Sequence, residues 1–154
     1  MRVQCLNPVT VKDANNEPRH VPCGKCYSCG YNRRRDWCFR IDQEHRSALN
    51  AIFVTLTYEE QYLVWGNGVP TLYKPHLQTF LKSVRQANER ALIKSKLNPC
   101  KTLKQVRTML KRLTYFAVGE YGTKGTIRPH YHVLLFNIET PVVSRIEQIW
   151  AKGF

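Results

Sequence analysis

At 154 residues the chain is long enough for one ordinary domain with a real hydrophobic core, and its 43% apolar content includes no run approaching a membrane span. Its 24 Lys and Arg against 11 acidic residues leave a net charge of +13, which points to a polyanionic partner, because phosphates release counterions when cationic side chains replace them. An anionic membrane would ask for a basic amphipathic helix with a Trp/Phe/Leu face, which is not evident, and no apolar leader core follows Met1, so a soluble cytosolic protein is the expectation.

Residues 1–30 read as loop, with Pro8, Pro18 and Pro22 around a dense run, Cys23-x-x-Cys26-x-x-Cys29. Six cysteines without a secretion signal argue against a disulfide framework. Cys5, Cys23, Cys26 and Cys29 make a candidate four-thiolate zinc site, with Gly24 and Gly30 allowing the tight turns. Free reduced thiols and iron–sulfur ligation are the alternatives, although the usual cluster run adds a fourth cysteine before a proline. Cys38 and Cys100 are isolated and read as packing residues.

A proline-free run from Asn32 to about Ala48 predicts a helix, with Trp37 and Ile41 turned to the core. Arg33, Arg34, Arg35 and Arg40 at its start are placed to grip a backbone phosphate, unless they are simply a solvated face. Residues 51–57, Ala-Ile-Phe-Val-Thr-Leu-Thr, form the clearest strand, expected to be buried on both faces. A turn at 66–68 precedes a helix opened by Pro75 and carrying Leu77, Phe80, Leu81 and Val84. Residues 88–113 are cationic and broken at Asn98-Pro99, with a further helix expected over 102–113; this stretch reads as a mobile insertion or a nucleic-acid-facing arm. Strands follow at 114–120 and 130–137, then a helical run from Pro141 through Val142, Ile146, Ile149 and Trp150.

The second candidate centre lies in those last strands. His130 and His132 flank Tyr131, so on a strand both imidazoles share one face about 7 Å apart while Tyr131 turns away. Glu120 ends the neighbouring strand and brings a carboxylate toward them. Two His and one carboxylate leave coordination positions open, which suits a catalytic ion better than a structural one. The bland alternative is a pair of polar residues on a solvated face.

The order Phe53-x-Thr-Leu-Thr57, Gly119-Glu-Tyr-Gly122 and Arg128-Pro-His-Tyr-His-x-Leu-Leu-Phe136 resembles the HUH endonucleases of rolling-circle replication. More narrowly, Cys5-x-x-Pro8, Val21-Pro-Cys-Gly-x-Cys-x-x-Cys29 and Arg33-x-x-x-Trp37-x-x-Arg40 look like the replication initiators of small single-stranded-DNA phages, the gokushovirus branch of the microviruses. The likeness runs from Cys5 to Phe154. It implies an α+β fold of the RRM or ferredoxin-like kind, a mostly antiparallel sheet with packed helices and the histidines on a central strand, behind an N-terminal Cys-rich loop. On that resemblance residues 1–30 are a Cys-rich segment and 31–154 a nuclease domain.

The resemblance further implies metal-dependent nicking and joining of DNA through a tyrosyl intermediate. Glu120, His130 and His132 would hold Mn²⁺ or Mg²⁺, with imidazole favouring Mn²⁺. The partner would be single-stranded or hairpin origin DNA in the cytoplasm of a bacterial host, together with host replication machinery. Arg33, Arg34, Arg40, Lys124 and Arg128 are the expected DNA contacts, and Tyr27, Tyr31 and Tyr121 candidate stacking rings. The nucleophilic tyrosine of such initiators follows the histidine strand in a Tyr-x-x-Lys-like helix, and no tyrosine follows Tyr131 here. The expectation is a chain cut short before that helix and not competent to nick. Relaxases carry the tyrosine upstream, which would nominate Tyr58 or Tyr62, but the rest of the pattern is not theirs. A non-catalytic, zinc-stabilised nucleic-acid-binding module is the competing reading.

Overall fold

A computed structural model of the chain describes residues 2–96, 111–122 and 127–153 and divides it into two compact units, Met1–Arg46 and Ser47–Phe154. The helix expected over 102–113 falls mostly outside the described residues, as does Cys100.

The first unit is not the plain loop its prolines suggested. The β-branched run Val9–Lys12 (β1) pairs antiparallel with Pro18–Val21 (β2), in a register from Val9↔Val21 to Lys12↔Pro18. Asp13 makes the turn: its Oδ1 accepts from the amides of Asn15 and Glu17 at 2.8 and 3.1 Å, while Asn16 takes the left-handed conformation that asparagine tolerates. Helix α1 spans Tyr27–Ser47 and starts inside the cysteine run, earlier than residue 32. It buries only Ser28 and Cys29. Trp37 is 43% exposed and Cys38 is exposed as well, so neither serves the core as expected.

The second unit is built on a three-stranded antiparallel sheet in the order β3 (Ala51–Leu56), β7 (Pro129–Phe136), β6 (Thr114–Tyr121), with β7 in the middle. A short hairpin, β4 (Val64–Gly66) with β5 (Val69–Thr71), precedes helix α2, Lys74–Lys96. Short helices α3, Thr140–Val143, and α4, Ile146–Trp150, follow β7 and pack against α2. The α+β, antiparallel reading is thus borne out.

The sheet has one covered and one open face, and strand alternation decides which residue goes where. Tyr131, Val133 and Leu135 of β7 point into the core with Leu56, Phe80, Leu81, Val84, Ile138, Val142, Ile146 and Trp150. Their neighbours His130, His132 and Leu134 point the other way and are only half-buried. Phe53, on β3, is 61% exposed. The strand expected to be buried on both faces is therefore an outer strand of the described sheet with one face open, and its unbroken apolar run concealed that.

Three asparagines lock the end of β7. Asn137 has a positive φ of 60° and its amide donates to the Asn50 carbonyl at 3.0 Å. The Asn50 side chain pairs with both backbone groups of Ile138 at 2.8 and 2.9 Å. Buried Asn88, on α2, donates to the Asn137 carbonyl at 2.9 Å and accepts the Glu139 amide at 2.7 Å. The asparagine side chains are thereby satisfied, and α2 is fixed against the strand that carries the histidines. Farther along the same unit, Trp150 Nε1 donates to the Thr57 carbonyl at 2.6 Å, and Gly153 passes so close that a Cβ would stand 2.6 Å from the Glu59 nitrogen.

Candidate metal centre

The β6–β7 register sets Glu120 directly opposite His130, and Val118 opposite His132. Cross-strand partners share a face, so the carboxylate and both imidazoles meet on the open side of the sheet. Glu120 Oε2 lies 3.2 Å from His132 Nε2 and 3.8 Å from His130 Nε2. Their ligand atoms all lie within 4.8 Å of one another. The rings stand edge to face, 83° apart with centroids at 4.8 Å, so both nitrogens converge without the rings colliding.

Hydrogen bonds at the far side of each ring orient the near side. His130 Nδ1 is 3.2 Å from the Arg128 carbonyl, which can only accept, so Nδ1 carries the proton and Nε2 presents a lone pair. His132 Nδ1 is 3.0 Å from Thr55 Oγ1, which can accept in the same way. With Nδ1 protonated on both rings, two bare Nε2 lone pairs and a carboxylate oxygen face one another. That is repulsive unless a positive charge lies between them, and a divalent cation supplies it with the ligand types that suit Mn²⁺. The donor set therefore fits the cation expected from the sequence. Thr55 was not singled out beforehand, although its place in Phe53-x-Thr-Leu-Thr57, paired with the histidine strand, is the signal that marks it.

The tyrosines nominated upstream do not serve this centre equally. Tyr58 and Tyr131 lie in the core, with ring centroids 5.1 and 6.5 Å from Trp150, on the face away from His130 and His132. Burial pushes both phenols above their ordinary pKa. Tyr62 sits in a 3₁₀ turn, Glu60–Tyr62, under the Lys152 ammonium at 5.0 Å. The Tyr121 hydroxyl accepts from the Leu72 amide at 3.2 Å and lies 3.3 Å from Thr71 Oγ1, contacts that lower its pKa and tie β6 to the hairpin.

In the first unit the structure brings together the four cysteines that the spacing grouped. The Sγ separations are 3.6 Å for Cys5–Cys23, 3.8 Å for Cys5–Cys26 and 4.0 Å for Cys23–Cys29. Each is far too long for a disulfide. A tetrahedron with arms of about 2.3 Å, the zinc–thiolate length, has edges of about 3.8 Å. Val3 and Asn32 exchange two hydrogen bonds, at 2.9 and 2.7 Å, and Arg2 pairs with Asp36 at 3.2 Å; together they pin the segment that delivers Cys5. Gly24, at φ 73°, turns the loop back so that the amides of Lys25 and Cys26 point at Cys23 Sγ from 3.5 and 3.4 Å. Those two bonds lower the Cys23 pKa, and backbone bonds from Cys29 and Leu6 lower that of Cys26 to about 6. Cys29 receives a backbone bond from Gly24 that acts downward, yet burial and the three neighbouring thiols drive it up to about 12. Four thiols this close cannot all ionise without a cation among them.

The arginines divide by what they touch. Arg33 donates to the Gly24 carbonyl at 2.9 Å and so braces the cysteine loop. Arg34 and Arg40 lie over the Tyr31 and Trp37 rings at 5.7 and 5.2 Å. A groove of about 450 Å³ beside the cysteines is lined by Arg2, Arg33, Arg40 and Trp37. Arg128 pairs with Glu60 at 2.6 Å, two residues before His130. Tyr27 and Tyr31 are exposed, and Lys124 lies outside the described residues.

Residues 51–154 match the family model of the replication-associated protein ORF2. Among curated proteins, the chain is 32% identical to the replication-associated protein ORF2 of Spiroplasma virus 4 over 151 residues, covering 87% of this chain and 42% of that protein. It is 34% identical to the replication-associated protein VP4 of Bdellovibrio phage phiMH2K over 139 residues, covering 86% of this chain and 38% of that one. The replication-associated protein ORF4 of Chlamydia phage 1 is 25% identical over 127 residues, covering 82% of this chain and 26% of its own length. The chain thus spans less than half of each of these relatives. No solved structure matches. With more than half of its residues inside the family match, the chain belongs to the replication-associated protein ORF2 family, in keeping with its resemblance to small-phage replication initiators.

Proposed function

We propose that this chain carries the metal-binding part of a rolling-circle replication initiator that nicks and rejoins single-stranded or hairpin origin DNA through a tyrosyl intermediate. The observation that carries the reading is the meeting of His130 Nε2, His132 Nε2 and Glu120 Oε2 on an open sheet face, with both rings held from behind at Nδ1. Glu120, His130 and His132 would hold Mn²⁺ or Mg²⁺, which when bound polarises the scissile phosphate and lowers the cost of its developing charge. Arg128 and Thr55 keep the imidazoles aimed, and a net charge of +13 draws the polyanion in. The nucleophilic tyrosine belongs to the helix expected beyond Phe154, since Tyr58 and Tyr131 are enclosed in the core.

Cys5, Cys23, Cys26 and Cys29 hold a structural Zn²⁺ that ties the N-terminal segment to the start of α1, on the strength of their near-tetrahedral sulfur spacing. The setting is the interior of an infected bacterial host, where the protein would meet host replication machinery. Calorimetric titration with Mn²⁺ tests the central claim. One site is expected, lost in His132→Ala and retained in Cys26→Ser. Undiminished binding in His132→Ala would reduce the chain to a nucleic-acid-binding module with incidental histidines.

A further inference from the structure

The open face of the sheet is ordered in rows. Glu120 and His130 form the first row; Thr55, His132 and Val118 the second; Phe53, Leu134 and Phe116 the third. Successive rows are about 7 Å apart, two residues along each strand. One end of this face is ionic and the other is apolar. Phe53 is 61% exposed, and its ring lies nearly parallel to the His132 imidazole, 19° apart with centroids at 5.4 Å. Val118, beside His132 on β6, is exposed too.

A large exposed ring on an outer strand is a cost in water unless something covers it. The polarity of the face matches that of a nucleotide, which presents a phosphate at one end and a flat apolar base at the other. The net charge of +13 selects a polyanion as the occupant. From this match we infer that Phe53 is the stacking platform for the nucleobase adjoining the phosphate at the Glu120–His130–His132 cluster, an inference that rests on the reading of that cluster as a cation site for single-stranded DNA. The base extends the His132–Phe53 stack outward and holds the strand in register, so that one chosen phosphate, and not its neighbours, reaches the ligands. Stacking is tolerant of base identity, so this contact sets position along the strand and leaves sequence choice to other residues.

The test uses the 154-residue chain and a mixed-sequence single-stranded oligonucleotide carrying 2-aminopurine at successive positions, whose fluorescence falls when it stacks on an aromatic ring. One position should be quenched in the unaltered chain. Phe53→Leu keeps the apolar bulk and loses the π face; it and Phe53→Ala should abolish that quench and weaken DNA binding about tenfold, the worth of one base–aromatic stack. Phe53→Trp should retain both, and Mn²⁺ affinity should be unchanged in all three. Quenching and affinity that survive in Phe53→Leu would overturn the stacking role alone. Loss of Mn²⁺ binding in Phe53→Leu would instead assign the ring to holding His132. A chain that binds Mn²⁺ but no single-stranded DNA would overturn the platform together with the reading on which it rests.

Discussion

Thr55 Oγ1 stands 3.0 Å from His132 Nδ1, across the β3–β7 pair in which the two residues are direct partners. The hydroxyl accepts from the protonated Nδ1 and so commits Nε2 to the side where Glu120 lies at 3.2 Å. A valine has nearly the same shape and cannot accept a hydrogen bond. Thr55→Val should therefore weaken Mn²⁺ binding by about tenfold or more, the usual effect of removing an outer-shell partner, while leaving thermal unfolding almost unchanged. Thr55→Ser should restore most of the affinity. Equal titration curves for the valine variant and the parent would remove Thr55 from the centre.

For the cysteines, elemental analysis of the purified chain should find about one zinc per molecule, the stoichiometry of a four-ligand site. Cys26→Ser should lose it. Because the N-terminal segment is held to α1 largely through Cys5, limited proteolysis should then cut within residues 2–26, whereas residues 47–96 stay protected. A stably folded, protease-resistant protein with no bound metal would favour free thiols.

Incubation of this chain with an end-labelled origin strand and Mn²⁺ should give salt-sensitive binding and no covalent adduct. Tyr58 follows β3 and Tyr131 sits between the two histidines, and both hydroxyls are enclosed in the core with raised pKa values. Binding should weaken steeply with salt through counterion release. A chain extended past Phe154 into the expected tyrosine helix should cleave the strand and retain it. An adduct formed by the shorter chain would contradict this, and Tyr62→Phe and Tyr121→Phe would identify the residue responsible.

His76 gives a pH dependence with a defined sign. Burial first, and the Lys152 charge second, lower its pKa, and its Nδ1 is enclosed without a hydrogen-bond partner among the described residues. The unfolded chain therefore binds the proton more readily than the folded one. Stability should fall as pH drops through the ordinary imidazole range, about 6.5, and be fully present above it. Urea midpoints at about pH 5 and about pH 8 should differ less in His76→Gln than in the parent. An identical pH dependence in the two proteins would show that His76 titrates as it does in the unfolded chain.

The alternation of His130, Tyr131 and His132 was legible because a strand has a fixed period of two: once residues 130–137 form a strand, two imidazoles share a face and Tyr131 must oppose them. The four-cysteine grouping was legible for a similar reason, since local spacing and turn-forming glycine carry the information. Pairing was beyond the sequence. That Glu120 stands opposite His130, and Thr55 opposite His132, follows from strand register, which is set by contacts between segments far apart along the chain. The same limit explains Phe53 and Trp37: an apolar run or a helical period shows which residues can be buried, but only the packed structure shows that Phe53 stays exposed and that α1 leaves Trp37 partly open. Composition pointed to a polyanion as the partner, local period settled which residues point together, and tertiary packing decided which face stays open to receive it.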